Sequence, residues 1–174
     1  VSDIFDNLKR ENAKIIVDPA MADNGKLYWG FDEEHVKGMR FLCSKADIIL
    51  PNITEACFLT GIEYKESYDK AYVDELISKL SEICSGTVII TGATYDDNKI
   101  HVVIAENGEQ TEYVHKKILK SYHGTGDIFS SAFVGAYMQE KSIFDAIRIA
   151  SDYTVECIEN TVDDDSHWYG TKFE

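Results

Sequence analysis

The chain has 174 residues, of which 44% are hydrophobic and 28% charged, a composition that fits one globular domain with a buried core. Its 31 Asp and Glu residues outnumber its 17 Lys and Arg residues, and the resulting net charge of -14 disfavours nucleic acids and anionic membranes as partners. No apolar run approaches the length of about 18 residues that a membrane span needs, so none is expected.

The first part of the chain alternates predicted helices with short apolar strands. Helices are expected over residues 3–11, 32–46 and 54–61, because their apolar residues recur at helical spacing. The runs "KIIVDP" (14–19) and "DIILPN" (47–52) are β-branched and end at or near a proline. Both runs therefore predict buried strands.

The next elements are a longer helix, a strand and a hairpin. Apolar residues at helical spacing predict an amphipathic helix over 69–86, and "TVIIT" (87–91) predicts a third buried strand. Residues 99–118 alternate around Asn107 and Gly108. That dipeptide is typical of the type I′ turn of an antiparallel hairpin.

Two helices are predicted to end the chain. One begins near Asp127, and the other, of about 16 residues, follows a capping box formed by Ser142 and Asp145. Apolar strands that alternate with helices imply a single α/β domain over 1–174, with a mostly parallel sheet, helices on both faces and the antiparallel hairpin added. The first of these two helices is expected to pack through Ile128, Phe129, Ala132, Phe133 and Ala136.

The cysteines are widely spaced and form no C-x-x-C pair, so they predict core thiols and a reducing cytoplasm. The charged, amphipathic N-terminus does not resemble a signal peptide. Because the chain begins with Val1 instead of a methionine, we expect a fragment or a processed product. The cysteines are Cys43, Cys57, Cys84 and Cys157.

Polar residues and glycines follow the predicted strands. The carboxyl ends of parallel strands are where α/β sheets collect ligands, so we expect these residues to share one edge of the sheet. They are Asp18, Asp23, Asn52, Glu55, Thr91 and Gly92, and the "GTGD" motif adds Gly124, Thr125, Gly126 and Asp127.

The "GTGD" motif has the chemistry of a phosphate site. Gly124 and Gly126 can adopt backbone angles closed to other residues, so that successive amides point at one anion, and the following helix adds its N-terminal N–H groups. Asp127 would then accept the proton of an attacking hydroxyl. The plainer explanation of the motif is a turn before a helix.

The carboxylates nearer the N-terminus predict a magnesium site. Asp18, Asp23 and Glu55 supply hard oxygen ligands for a Mg²⁺ ion that bridges nucleotide phosphates. Two of them also have plainer explanations. Asp18 would belong to a strand-end turn, and Glu55 would be a surface carboxylate in the first turn of a helix.

Other nucleotide-binding motifs are absent. The sequence has no P-loop and no protein-kinase signature, and Phe129 replaces the third glycine of the dinucleotide fingerprint. The motifs that are present, "GTGD" opening a helix, "LPNITEA" after a strand and "VDPAMADNGKLY", together resemble the pyridoxal kinase branch of the ribokinase-like superfamily. The resemblance runs over essentially the whole chain.

The resemblance implies a three-layer ribokinase-like fold, incomplete on its N-terminal side. It also implies an enzyme that uses ATP and Mg²⁺ to phosphorylate the 5′-hydroxyl of pyridoxal, pyridoxamine or pyridoxine. In that family the aspartate of "GTGD" is the base, a role that passes to Asp127. Gly124, Thr125 and Gly126 then form the anion hole. A requirement for a monovalent cation is left open.

The same resemblance implies roles for the earlier loops. Glu55 would help to place magnesium, and Asn52 would lie near the nucleotide phosphates. Asp18 and Asp23 would contact nucleotide or phosphate-bound cations, with Asp23 assigned to the metal.

The chain also departs from the family's pattern. Thr91 and Gly92 match a nucleotide-contacting position where the family often has a hydroxyl residue second. Family members also have a long N-terminal segment, carrying early strands, much of the vitamin pocket and the lid, before the point where this chain begins. We therefore expect the C-terminal, catalytic part of such a kinase. Its first strand, 14–18, would lack neighbours on one side, which predicts self-association, as a homodimer, or a looser fold of the isolated chain.

Two other functions remain open. Hydroxymethylpyrimidine kinases share the fold, but they often carry cysteine in place of the catalytic aspartate, so Asp127 favours a pyridoxal kinase. The third hypothesis is a noncatalytic nucleotide-binding fragment. Against it, Asp127, Asn52 and Glu55 are all intact.

Overall fold

The computed structural model describes residues 1–8, 10–117, 124–161 and 170–173. The chain divides into two compact parts, residues 1–112 and 113–174. The single domain expected from the sequence stays a prediction. Within the described ranges, no helix combines the length and the apolarity needed to cross a membrane.

The described residues of the first part form four helices and most of the strands, and β7 runs across the boundary at residue 112. The helices are α1 (Ser2–Leu8), α2 (Glu33–Cys43), α3 (Ile53–Thr60) and α4 (Lys70–Ile83). The strands are β1 (Ile16–Val17), β2 (Ala22–Asp23), β3 (Lys26–Leu27), β4 (Ile48–Ile49), β5 (Thr87–Ala93), β6 (Lys99–Glu106) and β7 (Glu109–Lys116).

Five of these strands form one mixed sheet in the order β1-β4-β5-β6-β7. The pairs β1–β4 and β4–β5 are parallel, and β5–β6 is antiparallel. Asn107 and Gly108 join β6 to β7 with φ angles of 53° and 81°, the positive values that a type I′ turn requires. The expected α/β architecture with an added hairpin is therefore confirmed. The predicted last hairpin residue, 118, lies outside the described ranges.

The first two parallel strands are shorter than predicted. Only two residues of each run pair as a strand, although single backbone bonds extend the ladder, such as that from Leu50 N to Val17 O at 3.0 Å. Pro19 and Pro51 have no N–H to donate, which limits each ladder on its carboxyl side. Among the described strands, β1 pairs with β4 alone and lies at an edge of the sheet.

Local capping signals position the helices of the first part. Asp32, Asn52 and Asp69 each accept an N–H from the third residue of the helix that they begin, as expected of N-caps. Gly61 ends α3 with a φ of 80°. The helix predicted over 3–11 is shorter than expected, because α1 ends at Leu8.

The core of the first part lies between these helices and the sheet. The four cysteines of the chain are free and buried, as the sequence predicts. Burial raises the pKa of the Cys43 thiol to about 12, which keeps it protonated and unreactive. Fully enclosed side chains of this core include Met21, Ile49, Leu59, Val73, Leu76, Leu80, Val88 and Ile90.

The described residues of the second part form two helices in contact with each other, α5 (Thr125–Tyr137) and α6 (Ile143–Glu159). Phe129, Phe133 and Ala136 are buried as expected, whereas Ile128 and Ala132 are half-buried. The hydroxyl of Ser142 accepts the N–H of Asp145 at 3.1 Å and caps α6, which has 17 residues.

Candidate active site

A small hairpin that the sequence analysis missed follows the first strand. β2 and β3 pair with Asp23 opposite Lys26, and the turn between them is Asn24-Gly25. The φ angles of this turn are 50° and 75°. The same Asn-Gly dipeptide predicts the hairpin at residues 107–108, so this signal was available in the sequence.

A buried carboxylate holds the hairpin against α3. Glu55 is 2% exposed, and its Oε1 accepts the N–H of Met21 at 2.8 Å and that of Ala22 at 3.4 Å. Its Oε2 accepts the N–H of Asn52 at 2.9 Å. The explanation of Glu55 as a surface residue is therefore wrong. The carboxylate joins two loops that lie 33 and 34 residues apart in the sequence.

Asn52 completes this connection from the other side. Its Oδ1 accepts the N–H of Glu55 at 2.9 Å, and its Nδ2 donates to the carbonyl oxygen of Ala22 at 2.9 Å. Asn52 and Glu55 form a capping box at the start of α3. The "NITE" segment thus caps a helix and fixes the hairpin after β1 at the same time.

Burial raises the pKa of Glu55 from its ordinary value of 4.5 to about 7. Desolvation is the largest cause, and the N–H donors of Asn52, Met21 and Ala22 only partly offset it. The charge of Asp18 raises the pKa further, so this carboxylate lies within electrostatic range of Glu55.

We expect the free energy of unfolding to depend on pH through Glu55. Between pH 4.5 and about 7 the folded chain keeps a proton that the unfolded chain has lost, so stability falls as the pH rises through this window. The expected loss is roughly 3 kcal/mol. The free energy of unfolding, measured in urea across this pH range, should fall with rising pH in the unaltered chain but not in Glu55→Gln. Parallel curves for the two proteins would contradict the prediction.

The loops enclose a cavity of about 220 Å³ toward the carboxyl ends of β4 and β5. Four predicted site residues line it together, namely Asp23, Asn52, Thr91 and Gly92. The backbone of Thr91 donates to the carbonyl oxygen of Pro51 at 3.0 Å and pairs in parallel with Asn52. Further lining residues are Asn24, Ile53, Thr54, Tyr64, Glu66, Tyr68 and Thr94.

Sequence reasoning missed the aromatic side of this cavity. Tyr64 and Tyr68 lie in the connection between α3 and α4, and no motif marks either of them. The hydroxyl of Tyr68 accepts the N–H of Thr94 at 3.1 Å, and the hydroxyl of Thr54 accepts the N–H of Gly25 at 3.1 Å. These bonds fix the segments that surround the opening.

Substituting Gly25 by alanine should disturb this wall. A Cβ at Gly25 would lie 2.6 Å from Cδ1 of Tyr64, so the ring would have to move. Gly30 is a matched control, because it also has a positive φ, of 89°, but a Cβ there would meet nothing within 4 Å. We expect Gly25→Ala, but not Gly30→Ala, to weaken Mg-ADP binding measured by calorimetry. Equal affinities would show that the Tyr64 wall does not contribute.

Gly92 occupies a special position in β5. The pairing of β5 with β6 is irregular between Ile90 and Ala93, and Gly92 has a φ of 71° within that interval. Residues that carry a side chain rarely adopt this backbone conformation. The departure that the resemblance implies at Gly92 thus lies at an irregular position of β5 beside the cavity.

The "GTGD" residues belong to the second compact part. Gly124 has a φ of 86° and begins α5 without a side chain that could cap it, and Asp127 is an exposed residue of the first turn. The helix starts at Thr125, slightly earlier than predicted. The N-terminal N–H groups of a helix and its dipole favour an anion in general.

The described residues of the first part could supply only some of the ligands of a magnesium ion. The described ranges contain no group of three or more His, Cys, Asp or Glu residues placed to hold a metal. Asp23 is exposed and lines the cavity, although its carboxylate also accepts two bonds from Asn24. Mg²⁺ commonly takes one or two carboxylates together with waters and phosphate oxygens, and Asp23 fits that use. Glu55, enclosed by N–H donors, fits a positioning role.

The family of this chain follows from its similarity to known proteins. A sequence model of phosphomethylpyrimidine kinase matches residues 1–171, nearly the whole chain. The chain belongs to the phosphomethylpyrimidine kinase family. The expected resemblance is confirmed at this level.

Individual relatives in this family carry two kinds of name. The hydroxymethylpyrimidine/phosphomethylpyrimidine kinase of Aquifex aeolicus is 29% identical over 164 residues, which is 91% of this chain and 62% of the relative. A Bacteroides thetaiotaomicron structure with pyridoxal, described as a putative phosphomethylpyrimidine kinase, is 34% identical and superimposes with a TM-score of 0.84. The match covers 92% of this chain and 57% of the Bacteroides chain.

The pyridoxal kinase of Leishmania donovani, solved with ADP and pyridoxine, is 27% identical, with a TM-score of 0.77. The match covers 92% of this chain and 54% of the Leishmania chain. These likenesses confirm the ribokinase-like α/β fold. The chain spans between 54% and 62% of the length of these three relatives.

Proposed function

We propose that this phosphomethylpyrimidine kinase family member is the nucleotide-binding, catalytic part of an ATP-dependent kinase. Its substrate would be the 5′-hydroxyl of pyridoxal, pyridoxamine or pyridoxine. The observation that carries the proposal is the cavity of about 220 Å³, where residues from separate loops converge. Polar groups that converge in one concave site are typical of a ligand site.

The cavity would receive the phosphates of the nucleotide. Asn52 and Thr91 offer polar groups there, and Gly92 lets the backbone approach a ligand closely. Asp23 and Asp18 would hold Mg²⁺, either through the carboxylate of one of them or through waters. Asp18 is near enough to Glu55 for its charge to raise the pKa of that residue. Bound magnesium would neutralise phosphate charge, which this acidic chain cannot do with a basic surface.

Asp127 would act as the base. Its carboxylate accepts the proton of the substrate hydroxyl while the oxygen attacks the γ-phosphorus, and the bond to the β-phosphate oxygen breaks to release ADP. The amides of Gly124, Thr125 and Gly126 would stabilise charge on the transferring phosphoryl group. In support, Gly124 adopts a positive φ at the start of a helix.

The second candidate function is hydroxymethylpyrimidine kinase. The description of the matching family and the name of the Aquifex relative favour it. Both candidate substrates present a hydroxymethyl group on a nitrogen-containing aromatic ring, so the same base and phosphate site would serve either. The aspartate at position 127 favours the vitamin B6 substrate, as the family resemblance implies.

The test is the formation of pyridoxal 5′-phosphate from pyridoxal and Mg-ATP. We would assay the 174-residue chain beside the product of the complete natural gene, with hydroxymethylpyrimidine as a parallel substrate. Turnover of pyridoxal at the higher kcat/KM supports the proposal. Preference for the pyrimidine favours the second candidate, and no turnover of either with retained Mg-ADP binding favours a noncatalytic module. The cytoplasmic location and the homodimer stay predictions.

A further inference from the structure

A tyrosine joins two walls of the cavity. Tyr68 lines the cavity from the connection between α3 and α4, and its hydroxyl accepts the N–H of Thr94 at 3.1 Å. The same hydroxyl lies 3.4 Å from Oγ1 of Thr94, which also lines the cavity. A single side chain thus connects two parts of the lining that lie 26 residues apart in the chain.

The segment that Tyr68 holds is irregular in the sheet. Between Ile90 and Ala93, three steps along β5 correspond to two steps along β6, so β5 carries one extra residue there. Gly92 lies in this bulge with a φ of 71°, and a Cβ there would meet nothing within 4 Å. Because a bulge interrupts the ladder, hydrogen bonds from outside the sheet matter more for the position of this stretch.

Hydrogen bonds hold the bulge at both of its ends. On its amino side, the N–H of Thr91 donates to the carbonyl oxygen of Pro51 at 3.0 Å. On its carboxyl side, Ala93 is paired with β6, and the next N–H, that of Thr94, is the one that Tyr68 accepts. The backbone that borders the cavity is therefore tied to the end of β4 on one side and to Tyr68 on the other.

Tyr68 itself packs on a well-anchored neighbour. Its ring centroid lies 5.3 Å from that of Tyr72, which is 5% exposed. The Tyr72 hydroxyl donates to the carbonyl oxygen of Glu63 at 2.7 Å and lies 3.0 Å from Sγ of Cys57 in α3. Asp69, the residue after Tyr68, caps α4. These contacts fix the ring, so its hydroxyl can hold the backbone of Thr94.

The charges of the cavity make this position important. The described side chains that line it include no lysine, arginine or histidine, while Asp23 and Glu66 are carboxylates that repel phosphate unless a cation lies between. Phosphates would then be bound by magnesium and by hydroxyl and backbone donors. Such hydrogen bonds weaken steeply when distance or angle changes, so a displaced segment 92–94 would bind them less well.

We propose that Tyr68 is a positioning residue for nucleotide binding. By accepting the N–H of Thr94, its hydroxyl holds segment 92–94 where the backbone and the Thr94 hydroxyl bind the phosphates of a magnesium nucleotide. This inference rests on the proposed function, because it assumes that the cavity receives the nucleotide. Tyr68 acts through Thr94 and Gly92, and no step of the phosphoryl transfer uses its hydroxyl.

The test is the Mg-ADP affinity of Tyr68→Phe, measured by calorimetry in the 174-residue chain. The variant keeps the ring on Tyr72 and removes only the acceptor of the Thr94 N–H. We expect the affinity to fall at least about fivefold, the effect of losing one hydrogen bond that places the phosphate donors. The amide of Thr94 should also exchange faster with solvent.

Tyr72→Phe is the matched control. It removes a tyrosine hydroxyl whose partners, Glu63 and Cys57, are not among the residues that line the cavity. The free energy of unfolding in urea should fall in this variant, while the Mg-ADP affinity of the folded chain should not. A merely structural role of Tyr68 would give the same pattern in Tyr68→Phe.

Kinetics of the complete gene product separate positioning from chemistry. In Tyr68→Phe the KM for Mg-ATP should rise while kcat is unchanged, because the hydroxyl affects nucleotide binding and not the transfer step. If the variant does not fold, slow exchange of the Thr94 amide in the unaltered chain supports the inference and fast exchange overturns it.

Three results would overturn the inference and leave the proposed function standing. They are an unchanged affinity in Tyr68→Phe, an equal loss of affinity in Tyr68→Phe and Tyr72→Phe, and a fall in kcat at constant KM. If the 174-residue chain does not bind Mg-ADP, the KM comparison in the complete product decides. If that product also turns over neither pyridoxal nor hydroxymethylpyrimidine, the proposed function and the inference are both overturned.

Discussion

Replacing Asp127 by asparagine is expected to lower phosphoryl transfer at least about 100-fold while changing Mg-ATP affinity little. The amide has nearly the same size and shape as the carboxylate, but it cannot accept the proton of the attacking hydroxyl. Asp127 is exposed in the first turn of α5, so the substitution should not disturb the core. Turnover is measured as pyridoxal 5′-phosphate formed, and nucleotide binding by calorimetry.

Asp145→Asn is the matched control for this variant. Asp145 is also a first-turn aspartate, in the neighbouring helix α6, where it accepts the Ser142 hydroxyl and lies 3.6 Å from Arg148. It should retain normal turnover. Undiminished turnover in Asp127→Asn would eliminate the base assignment. Joint loss of turnover and nucleotide binding would instead indicate a role in holding the phosphates.

Much of this fold is encoded in local signals. The Asn107-Gly108 turn and the caps at Asp69 and Ser142 are formed by residues within three positions of each other, so a sequence pattern captures them directly. The convergence of Asn52 and Thr91 at one cavity also followed from sequence, because strand order and polarity place the ends of parallel strands together.

What the sequence could not specify depends on contacts between distant segments. The strand expected over 14–19 is reduced to β1, because pairing depends on a partner more than thirty residues away, where Ile16 meets Ile48. Tyr64 takes its place in the cavity wall against Gly25, far from it in the chain. Neither contact leaves a periodic pattern in the sequence.

The role of Glu55 shows the same limit. A glutamate three residues after Asn52 fits a capping box, which the structure contains but which the sequence analysis does not name. The capping box does not reveal that the same carboxylate is buried and accepts N–H groups from Met21 and Ala22. Those donors lie 34 and 33 residues before Glu55 in the chain, too far for a local sequence pattern to indicate.

Removing this carboxylate should have the largest effect on stability. Glu55→Ala leaves the N–H groups of Met21, Ala22 and Asn52 without their acceptor. A buried unsatisfied donor costs about 1–3 kcal/mol, so we expect the free energy of unfolding to fall by about 3 kcal/mol or more near neutral pH. Relief of the desolvation of Glu55 offsets part of this cost. Urea unfolding of the variant measures the difference.

Asp69→Ala separates this connecting role from ordinary helix capping. Asp69 caps α4 by accepting one N–H, from Tyr72 at 3.0 Å, and its loss should cost only about 1 kcal/mol. If Glu55→Ala costs no more than Asp69→Ala, then Glu55 acts as a helix cap alone. If it costs more, and the amides of residues 21 and 22 exchange faster with solvent, Glu55 holds the hairpin that forms part of the cavity wall. Loss of nucleotide affinity in Glu55→Ala would then follow from the released hairpin, without Glu55 touching the nucleotide or its metal.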